Sequence, residues 1–223
     1  MIAILQSYSS MLLGALGKTL LLTLLSLLFA MIIGMIFALM NVGRNRVLNC
    51  IGTIYVDAVR GVPLIVLAYF IYFGVPSGMK MMGATDFRLS ALQAGTIALA
   101  MNCGAYMAEI IRAGIQSVDK GQMEASRSLG LSYAKSMRLV ILPQAIRTMV
   151  PSIINQFIIT LKDTSILSVI GFPELVNTAK NVVANTFKSF QVWTIVGIMY
   201  LIIILILSKA AKRLERSWSR GRQ

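Results

Sequence analysis

Hydrophobic residues along this 223-residue chain gather into five long runs, set apart by segments that collect the charges. A helix needs about 20 apolar residues to cross a hydrocarbon core. Thr19–Met40 carries no charge, and neither does Ser189–Ser208. The runs predict membrane helices over about 17–42, 54–78, 89–110, 147–172 and 189–209. Residues 1–15, interrupted by Gln6, Ser7, Ser9 and Ser10, predict a short helix lying along the membrane surface. The fourth run is short. Its 14 uncharged residues, Thr148–Leu161, rise roughly 21 Å against a core of about 30 Å. That span must continue through Lys162-Asp163-Thr164-Ser165 to Phe172, carrying two charges into the membrane or just under its surface.

Between the third and fourth runs lies a segment too polar to cross, residues 119–143. It still reads as structure. Asp119 or Gly121 suits a helix N-cap, and Gly130 suits the left-handed position after a helix end. Tyr133, Met137, Val140 and Ile141 then stand at i, i+4, i+7 and i+8, one apolar face. Pro143 either stops this second helix or seeds the next at its first position. The prediction is helix, glycine hinge, helix: a knob able to plug into a groove on a partner.

Polar residues inside the runs are the candidate chemistry. Asn102, Tyr106 and Glu109 stand at i, i+4 and i+7 in the third run. Gln156, Thr160 and Asp163 repeat the spacing in the fourth. Buried Asn most often serves helix–helix hydrogen bonding, and Lys162 with Asp163 can be a structural pair. Intramembrane ionisable groups are nevertheless functional by default. Asp57 and Arg60, at i and i+3, read as an interfacial ion pair ahead of a helix started by Pro63.

Composition agrees with a membrane protein: 57% hydrophobic and 13% charged, where soluble domains hold about 25% charged residues. The net charge of +13 lies beside the apolar runs, so it reports topology rather than nucleic-acid binding. One side carries 14 Lys and Arg, from the loop at 43–54, the stretch 111–149 and the tail after Ser208; the other carries five. The positive-inside rule then sets the N-terminus outside and the C-terminus inside. Two cysteines and no histidine make no metal site. No basic region precedes Lys18, which speaks against a cleaved signal peptide. Gly17-Lys18-Thr19 lacks the glycine spacing of a phosphate-binding loop and opens an apolar run, so no ATP site is expected in this chain.

Glu124-Ala125-Ser126, Gly130, then Val140, Leu142 and Pro143 keep the spacing of the Glu-Ala-Ala loop of ABC importer permeases, with Ser126 and Val140 as mild departures. Asp57-Ala58-Val59-Arg60-Gly61-Val62-Pro63-Leu64, Ala105–Gln122 and the stretch from Leu161 to Leu175 resemble the polar amino acid branch of that family, the histidine, glutamine and arginine type. The resemblance runs over nearly the whole chain. It implies an all-α integral membrane fold of five transmembrane helices with a cytoplasmic helical coupling loop, one domain over 1–223. It implies that Gly121, Glu124, Ala125, Ser126 and Gly130 couple to an ABC ATPase subunit. That partner would hold ATP and Mg, leaving this chain with no cofactor and no catalysis of its own. Further implied partners are a second permease copy or a paralogue, an extracellular substrate-binding protein, membrane lipid and an amino acid substrate.

On this view substrate passes between the third and fourth spans, with Asn102, Tyr106, Glu109, Gln156, Thr160, Asp163, Thr164 and Ser165 as candidate ligands. Asp163 or Glu109 would take an ammonium, and backbone N–H groups at a helix break near Thr164-Ser165 the carboxylate. Two acids favour polar, basic L-amino acids. The rival is an ion-coupled secondary transporter using Asp163 or Glu109, but no inverted repeat supports it. A channel would need a filter or charge ring, which isolated stripes do not supply.

Overall fold

A computed structural model describes residues 2–43 and 45–219; Arg44, Arg220 and Arg222, counted above, lie outside the described residues. Every regular element among them is helical. We number them α1 (Ile2–Val42), α2 (Arg46–Gly61), α3 (Leu64–Met81), α4 (Ala91–Gln116), α5 (Lys120–Ser128), α6 (Tyr133–Ile170), α7 (Leu175–Thr186) and α8 (Ser189–Ser219). Five are long and apolar enough to cross a membrane: α1, α3, α4, α6 and α8.

Helix α4 is the hub. In its most apolar window 61% of residues are buried, against 17–33% in the other four spans. Its small residues allow this. Gly104 and Ala108 meet Ala30, Gly34 and Ala38 of α1 so closely that a Cβ on Gly34 would lie 2.5 Å from the Cβ of Met107. Small residues four apart let two backbones approach, and close packing must drive association where lipid is as apolar as the side chains. The outward faces of α1 and α8 expose Leu24, Leu28, Leu201 and Ile206, as a hydrocarbon surrounding requires.

The structure departs from the sequence pattern in three places. Residues 2–15 are not a separate surface helix. They continue α1, because Ile4, Leu12 and Ala15 bury against α7 and α8. The expected second span, 54–78, is divided. Helix α2 ends at Gly61, Val62 turns to extended backbone, and α3 starts after Pro63, since the residue before a proline is pushed out of helical conformation.

The third departure concerns prolines inside helices, which remove a donor and press on the carbonyl four residues back. A single π turn absorbs this twice: Phe70–Gly74 ahead of Pro76, and Met137–Ile141 ahead of Pro143. Val75 N–H reaches back to Phe70, and Leu142 N–H to Met137. Pro143 therefore opens the next α-helical stretch without ending the helix, and α6 runs unbroken from Tyr133. At its far end α6 tightens into a 3-10 helix over Thr164–Ile170, closed by Gly171 at φ +76°.

Candidate functional site

Three elements enclose an open cavity of about 450 Å³, within the ~300–1,000 Å³ usual for small-molecule sites. The α2–α3 break supplies Arg60, Gly61, Val62, Pro63 and Leu64. Helix α4 supplies Asn102 and Tyr106, and α6 supplies Gln156, Ile159, Asp163 and Ile166. The cavity lies half-way along α4. Tyr55 of α2 donates its hydroxyl to the Met101 carbonyl at 2.9 Å, and Val59 shares a core cluster with Ala98, Leu99 and Ala105.

Four of the eight predicted ligands line it: Asn102, Tyr106, Gln156 and Asp163. On α6 the lining row is Gln156, Ile159, Asp163 and Ile166, spaced i, i+3, i+7 and i+10. Thr160, at i+4, turns the other way and is 1% exposed, its hydroxyl donating to the Gln156 carbonyl at 3.0 Å. Thr164 is likewise buried and donates to the Leu161 carbonyl at 2.7 Å. Ser165 lies in the 3-10 turn and does not line the cavity. The expected break near Thr164-Ser165 is absent: the Thr164 N–H stays bonded to the Thr160 carbonyl, because the helix tightens there instead of opening.

Glu109 does not line the cavity either. The i, i+3 neighbour Arg112 takes its carboxylate through Nε at 3.1 Å and through Nη2, and Arg112 Nη1 continues to Gln116 Oε1 at 2.8 Å. The expected Asp57–Arg60 and Lys162–Asp163 ion pairs do not form; Arg112–Glu109 is the one ion pair among the described residues. Arg60 instead lies over the Tyr106 ring, 5.2 Å from its centroid, a cation–π arrangement. Asn102 is 8% exposed and its side chain makes no hydrogen bond among the described residues. Arg60 is the cavity residue that sequence reasoning missed. The signal was present: Arg-Gly-x-Pro falls midway in the stretch 46–81, which is too long for one span.

The segment between α4 and α6 forms as the turn chemistry predicts. Asp119 caps α5 by accepting from Gly121 N–H at 2.6 Å. Gly130 takes φ +85°, and its N–H reaches Arg127 while Leu131 N–H reaches Ser126, the paired bonds that close a helix on a left-handed residue. Ser132 caps the next turn through Lys135 N–H. Met123, Met137, Val140 and Ile141 pack with Ile111 and Ile115 of α4. Glu124 and Leu129 point outward, Leu129 at 84% exposure. Ser126 is buried, its hydroxyl donating to the Met123 carbonyl at 2.8 Å.

A family model described as "Binding-protein-dependent transport system inner membrane component" matches residues 30–220. The chain belongs to this family. It is thus an inner-membrane, multi-pass permease subunit of an ABC importer, and ATP hydrolysis falls to a separate subunit. The glutamine transport system permease protein GlnP of Escherichia coli K12 is 37% identical over 198 residues, covering 89% of this chain and 88% of that protein. The probable glutamine ABC transporter permease protein GlnM of Bacillus subtilis 168 is 38% identical, covering 97% and 99%. The arginine transport system permease protein ArtQ of the same organism is 34% identical, covering 92% and 90%. A crystal structure of an amino acid ABC transporter with histidines superposes with a TM-score of 0.87 at 38% identity, covering 96% of each chain. The inward-facing MetNI methionine transporter, 21% identical with a TM-score of 0.79, shares the fold. Nothing in these likenesses supports an ion-coupled transporter.

Proposed function

We propose that this permease passes polar L-amino acids into the cytoplasm and that the cavity between the α2–α3 break, α4 and α6 receives the substrate. The observation that carries this is the convergence of Asn102, Tyr106, Gln156 and Asp163 half-way along the spans, where charge is costly without a partner. An amino acid brings an ammonium and a carboxylate into that region, and each needs a counterpart. Asp163 suits the ammonium. Relatives named for glutamine and arginine transport support an amino acid substrate. The preference for basic side chains loses one of its two acids to Arg112, and the Asn102 and Gln156 amides suit a neutral polar side chain equally well.

The whole chain acts on this reading as one transmembrane domain, with the segment 119–143 docking on an ABC ATPase that holds ATP and Mg. Gly121, Glu124, Ala125, Ser126 and Gly130 form that contact. A second permease copy or paralogue closes the open side of the cavity, and an extracellular binding protein delivers substrate. The N-terminus lies outside and the C-terminus inside, as the distribution of basic residues requires.

The test is uptake of arginine, histidine and glutamine into vesicles containing the complete complex. Asp163→Asn should lose or change selectivity while the complex assembles and hydrolysis stays coupled. Glu109→Gln should leave selectivity unchanged, since Arg112 already holds that carboxylate. An Asp163→Asn permease that carries every substrate as the parent does would place the route elsewhere.

A further inference from the structure

Two more cavities lie at the other end of the same helices, in the part of the chain that gathers basic residues. One, of about 450 Å³, has an apolar wall that includes Val42, Ile115, Met123 and Met137 and a polar one that includes Asp119 and Lys120. The other, of about 340 Å³, is bounded by Val42, Gly43, Arg127 and Tyr133. Val42 and Tyr133 border both, so the two adjoin. Together they separate α5 from the last turn of α1 and the end of α4. The corner between α1 and α2 is fixed there, because Asn49 donates its side-chain amide to the Asn41 carbonyl at 2.8 Å.

The α1 wall sets the depth of this double cavity. Apolar side chains of α1 are exposed as far as Ile36 and Leu39, and exposure resumes on α2 at Val47, Leu48 and Ile51. Hydrocarbon covers both stretches. Val42 and Gly43, at the corner between them, therefore stand at the level of the lipid headgroups. The charge at that level is positive. Lys120 makes no ion pair or hydrogen bond among the described residues. Arg127 makes no ion pair either, and gives one guanidinium N–H to the Leu131 carbonyl at 3.0 Å. The acid beside them, Asp119, is already engaged as the cap of α5, accepting from Gly121 N–H at 2.6 Å. An apolar wall next to two unpaired cations matches a ligand with an anionic head and an apolar tail. Basic pockets between membrane helices on the cytoplasmic side suit acidic lipid headgroups for this reason.

We propose that this double cavity binds an anionic phospholipid of the cytoplasmic leaflet, with its phosphate between Lys120 and Arg127 and its acyl chain along Val42, Ile115 and Met137. A zwitterionic lipid is disfavoured, because it brings a cation of its own against those two. A free phosphate is disfavoured as well, because it leaves the apolar wall in water. Lipid seated there lies between α5 and the ends of α1 and α4, so the lipid composition of the membrane sets how firmly α5 is held against the helices it moves. The binding itself is independent of the mid-span cavity and of what docks on 119–143; only its effect on hydrolysis rests on that docking.

The experiment is native mass spectrometry of the purified permease–ATPase complex, released from nanodiscs of phosphatidylglycerol and phosphatidylcholine, with each retained lipid counted. One Lys or Arg beside an acidic headgroup corresponds to about 5-fold in affinity, and two to about 30-fold. The parent should therefore retain phosphatidylglycerol about 30-fold over phosphatidylcholine. Lys120→Gln and Arg127→Gln should each lower that to about 5-fold, and the double variant should abolish it. Lys135→Gln with Arg138→Gln removes the same charge from exposed positions that do not border the cavities, and should keep the full preference. An equal loss in this control assigns the preference to surface charge and overturns the site, as does a parent that shows none. Displacement of the lipid by inorganic phosphate overturns the lipid in favour of a free anion. Val42→Phe narrows both cavities with the cations kept and should reduce retention. If the Lys120 and Arg127 variants do not assemble with the ATPase, Val42→Phe decides: unchanged retention overturns the site. In vesicles, ATP hydrolysis by the parent and by the control should rise with the phosphatidylglycerol fraction, and hydrolysis by the Lys120 and Arg127 double variant should not. Retention without that rise upholds the lipid site and overturns its link to α5.

Discussion

The approach of α1 to α4 is tight enough for one methyl group to test. A Cβ on Gly34 would lie 2.5 Å from the Cβ of Met107, 3.1 Å from the Gly104 carbonyl oxygen and 3.3 Å from the Ala108 nitrogen. Two of those atoms belong to backbone, so no side-chain rotation relieves the clash and the helices must part. Overpacking of this kind costs about 1–3 kcal/mol. For a chain of this size each kcal/mol lowers the melting temperature by about 2–4 °C. Alanine gains the same helix propensity at Gly34 as at any other glycine of α1, so Gly34→Ala should melt several degrees below Gly14→Ala. Gly14→Ala is the control, on the same helix: nothing lies within 4 Å of its added Cβ, and alanine is the better helix former by about 1 kcal/mol. It should melt at or above the parent temperature. The reporter is already in the chain. Cys103 is 1% exposed whereas Cys50 is exposed, so in a Cys50→Ser background a fluorogenic thiol dye reads the opening of α4. Asn102 and Tyr106 project from nearly the opposite side of α4 to Gly104 at 3.6 residues per turn, so Gly34→Ala should also depress uptake. A melting temperature of Gly34→Ala within about 1 °C of that of Gly14→Ala would refute the close-packing argument.

Three further outcomes are expected. Gly130→Val forces a β-branched residue to φ +85°, at about 1–2 kcal/mol, and should release the ATPase or leave its hydrolysis uncoupled from uptake; normal coupled uptake removes the docking role of 119–143. In a cysteine-free background an impermeant maleimide applied to intact cells should label Lys188→Cys and not Ser132→Cys, both exposed positions; labelling at 132 inverts the topology. Glu174 is buried and caps α7 through Val176 and Asn177 N–H, and burial raises its carboxyl above the ordinary value of 4.5, offset in part by those two donors. A raised carboxyl stabilises fully below its ordinary value and less as pH rises through the raised one. The complex should lose stability over that interval, and Glu174→Gln should flatten the slope of melting temperature against pH; an unchanged slope assigns the dependence to another group.

What the sequence makes legible is whatever local chemistry decides. Charge-free Thr19–Met40 has to cross, Asp119 has to cap, and Gly130 has to take positive φ where α5 ends. What it leaves hidden depends on which side of a helix meets which neighbour. The pattern Gln156, Thr160, Asp163 is a regular helical stripe, yet the cavity falls on the row through Ile159 because Thr160 faces inward. Glu109 shares a face with Asn102, yet Arg112, three residues on, claims it first. Arg60 looked interfacial because charge at the end of an apolar run usually is. Only the contacts of Tyr55 and Val59 with the middle of α4 put it at mid-span. The π turns are hidden for a different reason: a proline in a helix signals a kink or a stop, and nothing local says that one wider turn will absorb it.

Those contacts also link the two functional regions. Helix α6 begins at Tyr133, beside α5, and carries Gln156 and Asp163 on the same unbroken rod. From Tyr133 to Asp163 is roughly 45 Å at 1.5 Å per residue. Met123 of α5 packs in one cluster with Met137 and Ile141 of α6 and with Ile111 and Ile115 of α4. A displacement of α5 therefore acts on the ends of both helices whose middles form two walls of the cavity. The third wall, the α2–α3 break, belongs to another element and is fixed to α4 through Tyr55. Motion of α6 against α4 would then change the separation of Asp163 from the α2–α3 break on the other side of the cavity. A substrate held between these walls favours one separation and resists the other. ATP-driven movement of the docked segment can oppose that preference, because α6 transmits it along a continuous helix whose wide turn, Met137–Ile141, lies next to the dock and whose internal proline, Pro151, lies between that turn and the cavity residues.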